Sequence, residues 1–124
     1  MAETVQSYRD LMAWQRAMEI AKKVYVITAK FPKTELYGLA NQMQRAAVSI
    51  PSNIAEGQAR QHPGEFRQFL HIALGSAAEL DTQLRLAIEF GYVAETEAQP
   101  IFDLIVEVHK ISYGIIRQLP SPSR

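Results

Sequence analysis

The chain has 124 residues, 13 Lys plus Arg against 13 Asp plus Glu, 48% hydrophobic residues and no Cys, the composition of one globular domain long enough to bury a core without disulfides or metal. The missing thiols exclude cysteine catalysis, zinc fingers and iron–sulfur ligation, and zero formal net charge argues against a strongly basic nucleic-acid binder. No run of about 18 apolar residues occurs, and Met1 to Asp10 has no charged start followed by an apolar stretch, so neither membrane span nor signal peptide is expected and a cytoplasmic protein is.

Breaks at Phe31-Pro32-Lys33, at Gln61-His62-Pro63-Gly64 and at Gly91 divide the chain into four long periodic segments, all of which read as helices. In the first, placed at about residues 8–31, Leu11, Trp14, Met18, Ala21, Tyr25 and Thr28 step alternately by three and four, the spacing of a bundle seam. The second, about 34–60, opens on Thr34 as N-cap and continues through Leu36, Leu39, Met43, Ala46, Ile50, Ile54 and Gly57. Pro51 lies inside it, cannot donate to the carbonyl of Ala47, and should bend the helix rather than end it. The third, about 63–90, has Pro63 at its first position, Glu65 in its first turn and a seam of Phe66, Leu70, Ala73, Ala77, Leu80, Leu84 and Ala87, with Gly91 as the stop. The fourth, about 96–118, starts from Thr96 and Gln99 at capping-box spacing and carries Ile101, Leu104, Val108, Ile111 and Ile115. Residues 120–124 form a flexible tail. With no strand-like alternation, repeat or linker, residues 1–124 are expected to form a single all-α domain, an antiparallel up-down-up-down four-helix bundle.

Two helices are apolar over more than a seam. With Leu11 at heptad position a, the g positions of the first are Ala17, Val24 and Phe31 and the c positions are Ala13, Ile20 and Ile27. Four apolar positions in seven exceed the three that a bundle core asks for. The third helix repeats this with Phe69 and Phe90 at g and Ile72 and Leu86 at c. A second apolar face made of Ile20, Ile27, Phe69, Ile72, Leu86 and Phe90 predicts a homo-oligomer.

Chemistry is sparse. The three histidines, His62, His71 and His109, are preceded at three residues by Ala59, Gln68 and Val106, so the Glu-x-x-His metal motif of bundles does not occur. Glycines are scattered rather than clustered before a helix, which removes phosphate-loop chemistry. No catalytic or metal residue is assigned, no cofactor or small-molecule substrate is expected, and the protein reads as a non-enzyme. Arg9, Arg16, Lys23 and Lys30 recur every seven residues on one side of the first helix, with Lys22 and Lys33 beside them. Such a stripe, about 30 Å long, could follow an RNA backbone, although solubility alone also requires a charged outer face. Residues 1–75 hold nine basic and six acidic side chains and residues 76–124 hold four and seven, an asymmetry that could serve subunit docking instead. Polar residues interrupt the apolar stripes at Asn53, Ser76, Glu79 and Gln83. Arg45 is the expected partner of a buried Glu79, in a polar network with Gln42 and Asn53 that fixes helix register.

The stretch Ser49-Ile50-Pro51-Ser52-Asn53-Ile54-Ala55-Glu56-Gly57 resembles the bacterial four-helix-bundle family known as the 23S rRNA intervening-sequence proteins. The similarity continues upstream through Phe31-Pro32-Lys33-Thr34-Glu35-Leu36-Tyr37-Gly38-Leu39 and Gln42-Met43-Gln44-Arg45-Ala46-Ala47. Downstream it includes Glu65-Phe66, Phe69-Leu70, Ile72-Ala73, Gly75-Ser76 and Glu79-Leu80-Asp81-Thr82-Gln83-Leu84, and with a looser match at Leu11, Trp14, Ala17 and Tyr25 it covers about residues 7–119. The resemblance implies an antiparallel bundle assembled as a homopentamer, with no established activity and no catalytic residues to transfer. Pro51, Asn53, Glu56, Gly57 and Glu79 then read as architecture: a bend, polar anchors and a close helix approach. A similar fold occurs in the accessory variability proteins of diversity-generating retroelements, which are strongly basic pentamers associated with nucleic acid; this chain differs in being neutral. The resulting expectation is a non-enzymatic homo-oligomeric scaffold, with an accessory protein that binds RNA or ribonucleoprotein through Arg9, Arg16, Lys22, Lys23 and Lys30 as the alternative.

Overall fold

The computed structural model describes residues 7–120; the expected tail beyond Pro120 lies outside them. The described residues form four helices and no strand: α1 (Met12–Thr28), α2 (Leu39–Ala59), α3 (Pro63–Glu89) and α4 (Glu95–Gln118), with short 3-10 turns at Tyr8–Asp10 and Lys33–Glu35. Helix α1 packs on α2 and α4, and α3 packs on the same two. None of the four is long and apolar enough to cross a membrane.

Local chemistry explains where the helices start and stop. Ser7 accepts from the Arg9 amide (3.2 Å) and donates its own amide to Asp10 (3.3 Å), which closes a separate turn. Leu11 is then extended, so α1 begins at Met12 rather than near residue 8. At its other end Pro32 restricts Phe31 to non-helical conformations. Thr34 is not the cap of α2. The carboxylate of Glu35 accepts from the Leu39 amide at 2.9 Å and satisfies a first-turn donor from four residues upstream. Pro63 opens α3 as expected. Its end is a Schellman motif: Tyr92 N–H reaches the Ala87 carbonyl and Gly91 N–H the Ile88 carbonyl, both at 2.9 Å. That geometry requires the positive φ of Gly91, +78°. The Thr96–Gln99 capping box does not form. Helix α4 starts at Glu95 with no side-chain cap, and Gln99 instead donates to Asp103 (2.9 Å).

The core of α1 is not the seam expected for it. Ala13, Ala17, Ile20, Val24, Ile27 and Phe31 are buried, whereas of the expected seam only Thr28 is buried, Leu11, Trp14, Met18 and Ala21 are half-buried and Tyr25 is exposed. The c and g positions therefore point at the centre of the molecule, and the supposed excess of apolar surface on this helix is the core itself. In α3 the expected seam holds from Leu70 onward: Leu70, Ala73, Ala77, Leu80, Leu84 and Ala87 are all buried, and Phe66 at its start is half-buried. Each fully buried leucine here contributes roughly 1.5–3 kcal/mol.

Two close contacts fix the helix spacing. Thr28 donates to the Val24 carbonyl (2.7 Å) and accepts from Gln44 of α2 (3.0 Å). Gly57 of α2 lies against Phe66 and Phe69 of α3, so near that a Cβ there would sit 2.6 Å from the Phe69 Cβ. The close approach expected of this glycine is thus realised.

At the opposite end Glu35 joins both connections, because its second oxygen accepts from the Tyr92 hydroxyl at 2.8 Å. The Leu39 amide, first, and the Tyr92 hydroxyl hold the Glu35 carboxyl below the usual carboxylate range. A group with a depressed folded-state pKa stabilises above its unfolded pKa and loses that contribution as pH falls through the folded value. Wild type should therefore melt above Glu35→Gln at pH 7, with the gap closing as pH drops below about 4. Thermal melts of both proteins across that range check it, and a gap that persists at low pH would overturn the assignment.

Candidate functional site

Two surfaces and several open grooves emerge from this packing. On the α2/α3 side, Ser49 and Ser76 share a hydrogen bond of 2.8 Å between hydroxyls. Asn53 donates to the Ser49 carbonyl (2.8 Å) and hydroxyl (2.9 Å). These three residues are the polar network that joins the helices. The expected Arg45–Glu79 pair is not part of it. Both are exposed and border an open groove with Tyr37, Asn41 and Gln42, and neither makes an ion pair or hydrogen bond among the described residues. An exposed carboxylate keeps its hydration and needs no internal partner, so the reason for expecting the pair disappears. Glu56 also falls elsewhere. It holds Arg60 at 2.9 Å, Arg60 reaches Glu65 at 2.9 Å, and the guanidinium lies 5.2 Å over the Phe69 ring. Glu56 therefore braces the α2–α3 turn. Gln83 is buried, with its Oε1 unpartnered.

Along the same side of α3 runs an exposed apolar stripe. Ile72, Leu86 and Phe90 are 44%, 42% and 55% exposed, and Glu79 falls midway between Ile72 and Leu86 in heptad register. Phe69 is half-buried, held by Gly57 below and Arg60 above. Of the six residues assigned to a second apolar face, Ile20 and Ile27 are corrected to core, since the first is wholly buried and the second nearly so. The other four share α3.

The basic residues along α1 and its flanking turns are divided rather than aligned for one ligand. Arg16 binds Glu107 of α4 at 2.9 Å and approaches Glu19 at 3.9 Å; Lys30 binds Glu97 at 3.2 Å. Arg9 leans towards the Tyr8 ring at 6.0 Å. Lys22 and Lys23 are exposed and border a shallow apolar groove with Val26 and Ile101. The heptad spacing misses these cross-helix pairs because their acids lie some 70–90 residues away in the chain.

An open apolar groove of about 500 Å³ lies between Leu11, Phe66, Ile111, Ile115 and Leu119. Only Gln58 and Gln118 add polar atoms to its side chains, so its lining supplies no titratable group. Among the described residues no cluster of three or more His, Asp or Glu could hold a metal.

Comparison with known proteins gives the arrangement its relatives. The family model described as 23S rRNA-intervening sequence protein matches residues 9–114. A crystal structure from Bacteroides thetaiotaomicron, described as a protein of unknown function from the S23 ribosomal protein family, superposes with a TM-score of 0.78 at 24% identity, covering 86% of this chain and 99% of that one; the likeness concerns the fold. No curated protein matches. Because the family match spans most of the chain, from the turn before α1 to within a few residues of the end of α4, the protein belongs to the 23S rRNA-intervening sequence protein family.

Proposed function

We propose that this protein is a cytoplasmic, non-enzymatic scaffold: an up-down-up-down bundle, bent at Pro51, that assembles into a homo-oligomer through the exposed side of α3. The observation that carries the reading is the stripe of Ile72, Leu86 and Phe90. Three large apolar side chains left half exposed along one line of one helix, with Glu79 between Ile72 and Leu86, form an amphipathic stripe of the kind that marks an interface. Arg45 and Glu79 beside it lack internal partners and would give such a contact its polar specificity. Antiparallel packing is supported by the cross-helix pairs, since Arg16 meets Glu107 and Lys30 meets Glu97. The resemblance implies five subunits.

Light scattering on the purified chain tests the reading. A mass several times that of one chain is expected, five times for a closed five-fold ring. A strictly monomeric protein at high micromolar concentration would sink it.

A further inference from the structure

We infer that the outer face shared by the end of α4 and the start of α3 binds single-stranded nucleic acid. At its centre Tyr113 of α4 stands between two imidazoles, His71 of α3 at 6.1 Å and His109 at 4.8 Å between ring centroids. All three rings are exposed to solvent. Lys110 and Arg117 lie one turn to either side of Tyr113 on α4, and Arg67 lies one turn before His71 on α3, positions that share a helix face. Arg67 donates to the Pro120 carbonyl. None of the three cations, Arg67, Lys110 and Arg117, is in an ion pair among the described residues, and neither is either imidazole.

The neutrality of the chain conceals this patch. Its neighbouring acids are committed elsewhere: Glu107 turns to Arg16 of α1, and Glu65 with Glu56 holds Arg60. What remains is a local excess of cations around an accessible aromatic cluster. Cations neutralise phosphates and release counterions, while aromatic faces stack on bases without regard to sequence. An acidic protein segment would engage the cations but leave the rings without a use, which favours nucleic acid. Along α1 and its flanking turns, by contrast, Arg16 and Lys30, two of the five cations, are already tied to α4 carboxylates. The inference does not depend on assembly, since the cluster is complete within one chain.

Fluorescence anisotropy with a labelled oligouridylate of about 20 nucleotides tests it. Neutralising about three phosphates predicts roughly tenfold to twentyfold weaker binding at 200 mM than at 50 mM salt. Lys110→Glu with Arg117→Glu should abolish binding at 50 mM salt. Tyr113→Leu should weaken it at least about fivefold through lost stacking, with the salt slope unchanged. Lys22→Glu with Lys23→Glu should leave it as in wild type. Milder Lys110→Gln and Arg117→Gln replacements, checked by circular dichroism, cover any loss of folding in the charge reversals. The inference is overturned if the wild type does not bind at 50 mM salt, if the α1 variant loses as much as the α4 variant, or if polyglutamate competes as well as unlabelled oligouridylate.

Discussion

Ile20→Asp should abolish the cooperative thermal unfolding of this protein, while Ile72→Glu should leave folding intact and reduce the size of the assembly. Both isoleucines lie on wide apolar arcs and look alike in heptad notation. They differ in surroundings: Ile20 is wholly buried in the cluster formed by all four helices, and Ile72 is 44% exposed. An aspartate at position 20 would lose the apolar burial, worth roughly 2–5 kcal/mol for so large a truncation. It would also place an unpaired carboxylate where no partner exists, at a further cost of several kcal/mol. The sum rivals the whole stability of a domain, about 5–15 kcal/mol. Glutamate at position 72 is a good helix former at a site already in contact with water, so the monomer should change by less than about 1 kcal/mol. If the α3 stripe is the subunit contact, that same charge is trapped against a neighbour on assembly and dissociates it. Circular dichroism melts and light scattering on the two variants separate the effects. A well-folded Ile20→Asp would refute the core assignment, and an Ile72→Glu protein of wild-type mass would move the interface off α3.

That contrast also shows what the sequence could and could not reveal. Helix α3 was legible because its seam residues, Leu70 to Ala87, are also its buried residues, and because Pro63 and Gly91 mark its ends. Helix α1 was legible as a helix but not in its orientation. A helix apolar at four of seven positions contains two interlocking patterns of threes and fours, and Trp14, Met18 and Tyr25 made one of them look heavier. The molecule buries the other, because Ala13 and Ala17 permit close approach to neighbouring helices while larger rings pack at the margin. Boundaries failed where a side chain from outside the element supplied the cap, as Glu35 does for Leu39. The polar network was half legible. Asn53 and Ser76 were recognisable as polar interruptions of an apolar stripe, but Ser49, which joins them, lies off the expected seam of α2. Glu79 carried the opposite error, since interruption of a stripe suggested burial and the stripe is exposed. The cluster around Tyr113 left only a partial linear signal: His109, Lys110 and Arg117 fall one turn from it on α4, but His71 and Arg67 come from α3 with no motif spacing to link them.

Gly57→Val is the second substitution expected to have a large effect, and Gly57→Ala gives its lower bound. In an isolated helix, alanine in place of glycine is favourable by about 0.8–1.0 kcal/mol. Here the added Cβ would lie 2.6 Å from the Phe69 Cβ and 3.1 Å from the Phe66 Cδ1. The Phe69 Cβ is fixed to the backbone, so no rotamer change relieves the contact and α3 itself must retreat. Overpacking of this kind costs about 1–3 kcal/mol for a methyl group, which outweighs the gain in propensity. Valine adds two branches in the same gap and should lose about 3 kcal/mol or more. Retreat of α3 would also move Phe69 from beneath Arg60 and lengthen the Ser49–Ser76 bond, so the damage reaches the polar join. Gly114 in α4 is the internal control. Beyond its chain neighbours and its own helix backbone, no atom lies within 4 Å of a Cβ placed there, so Gly114→Ala should stabilise by about 0.5–1 kcal/mol from backbone entropy alone. Urea titrations of the three variants therefore predict opposite signs for the same alanine replacement at two helical glycines. Equal stabilisation at both positions would mean that Gly57 does not set the α2/α3 spacing, and the helices could part there without loss.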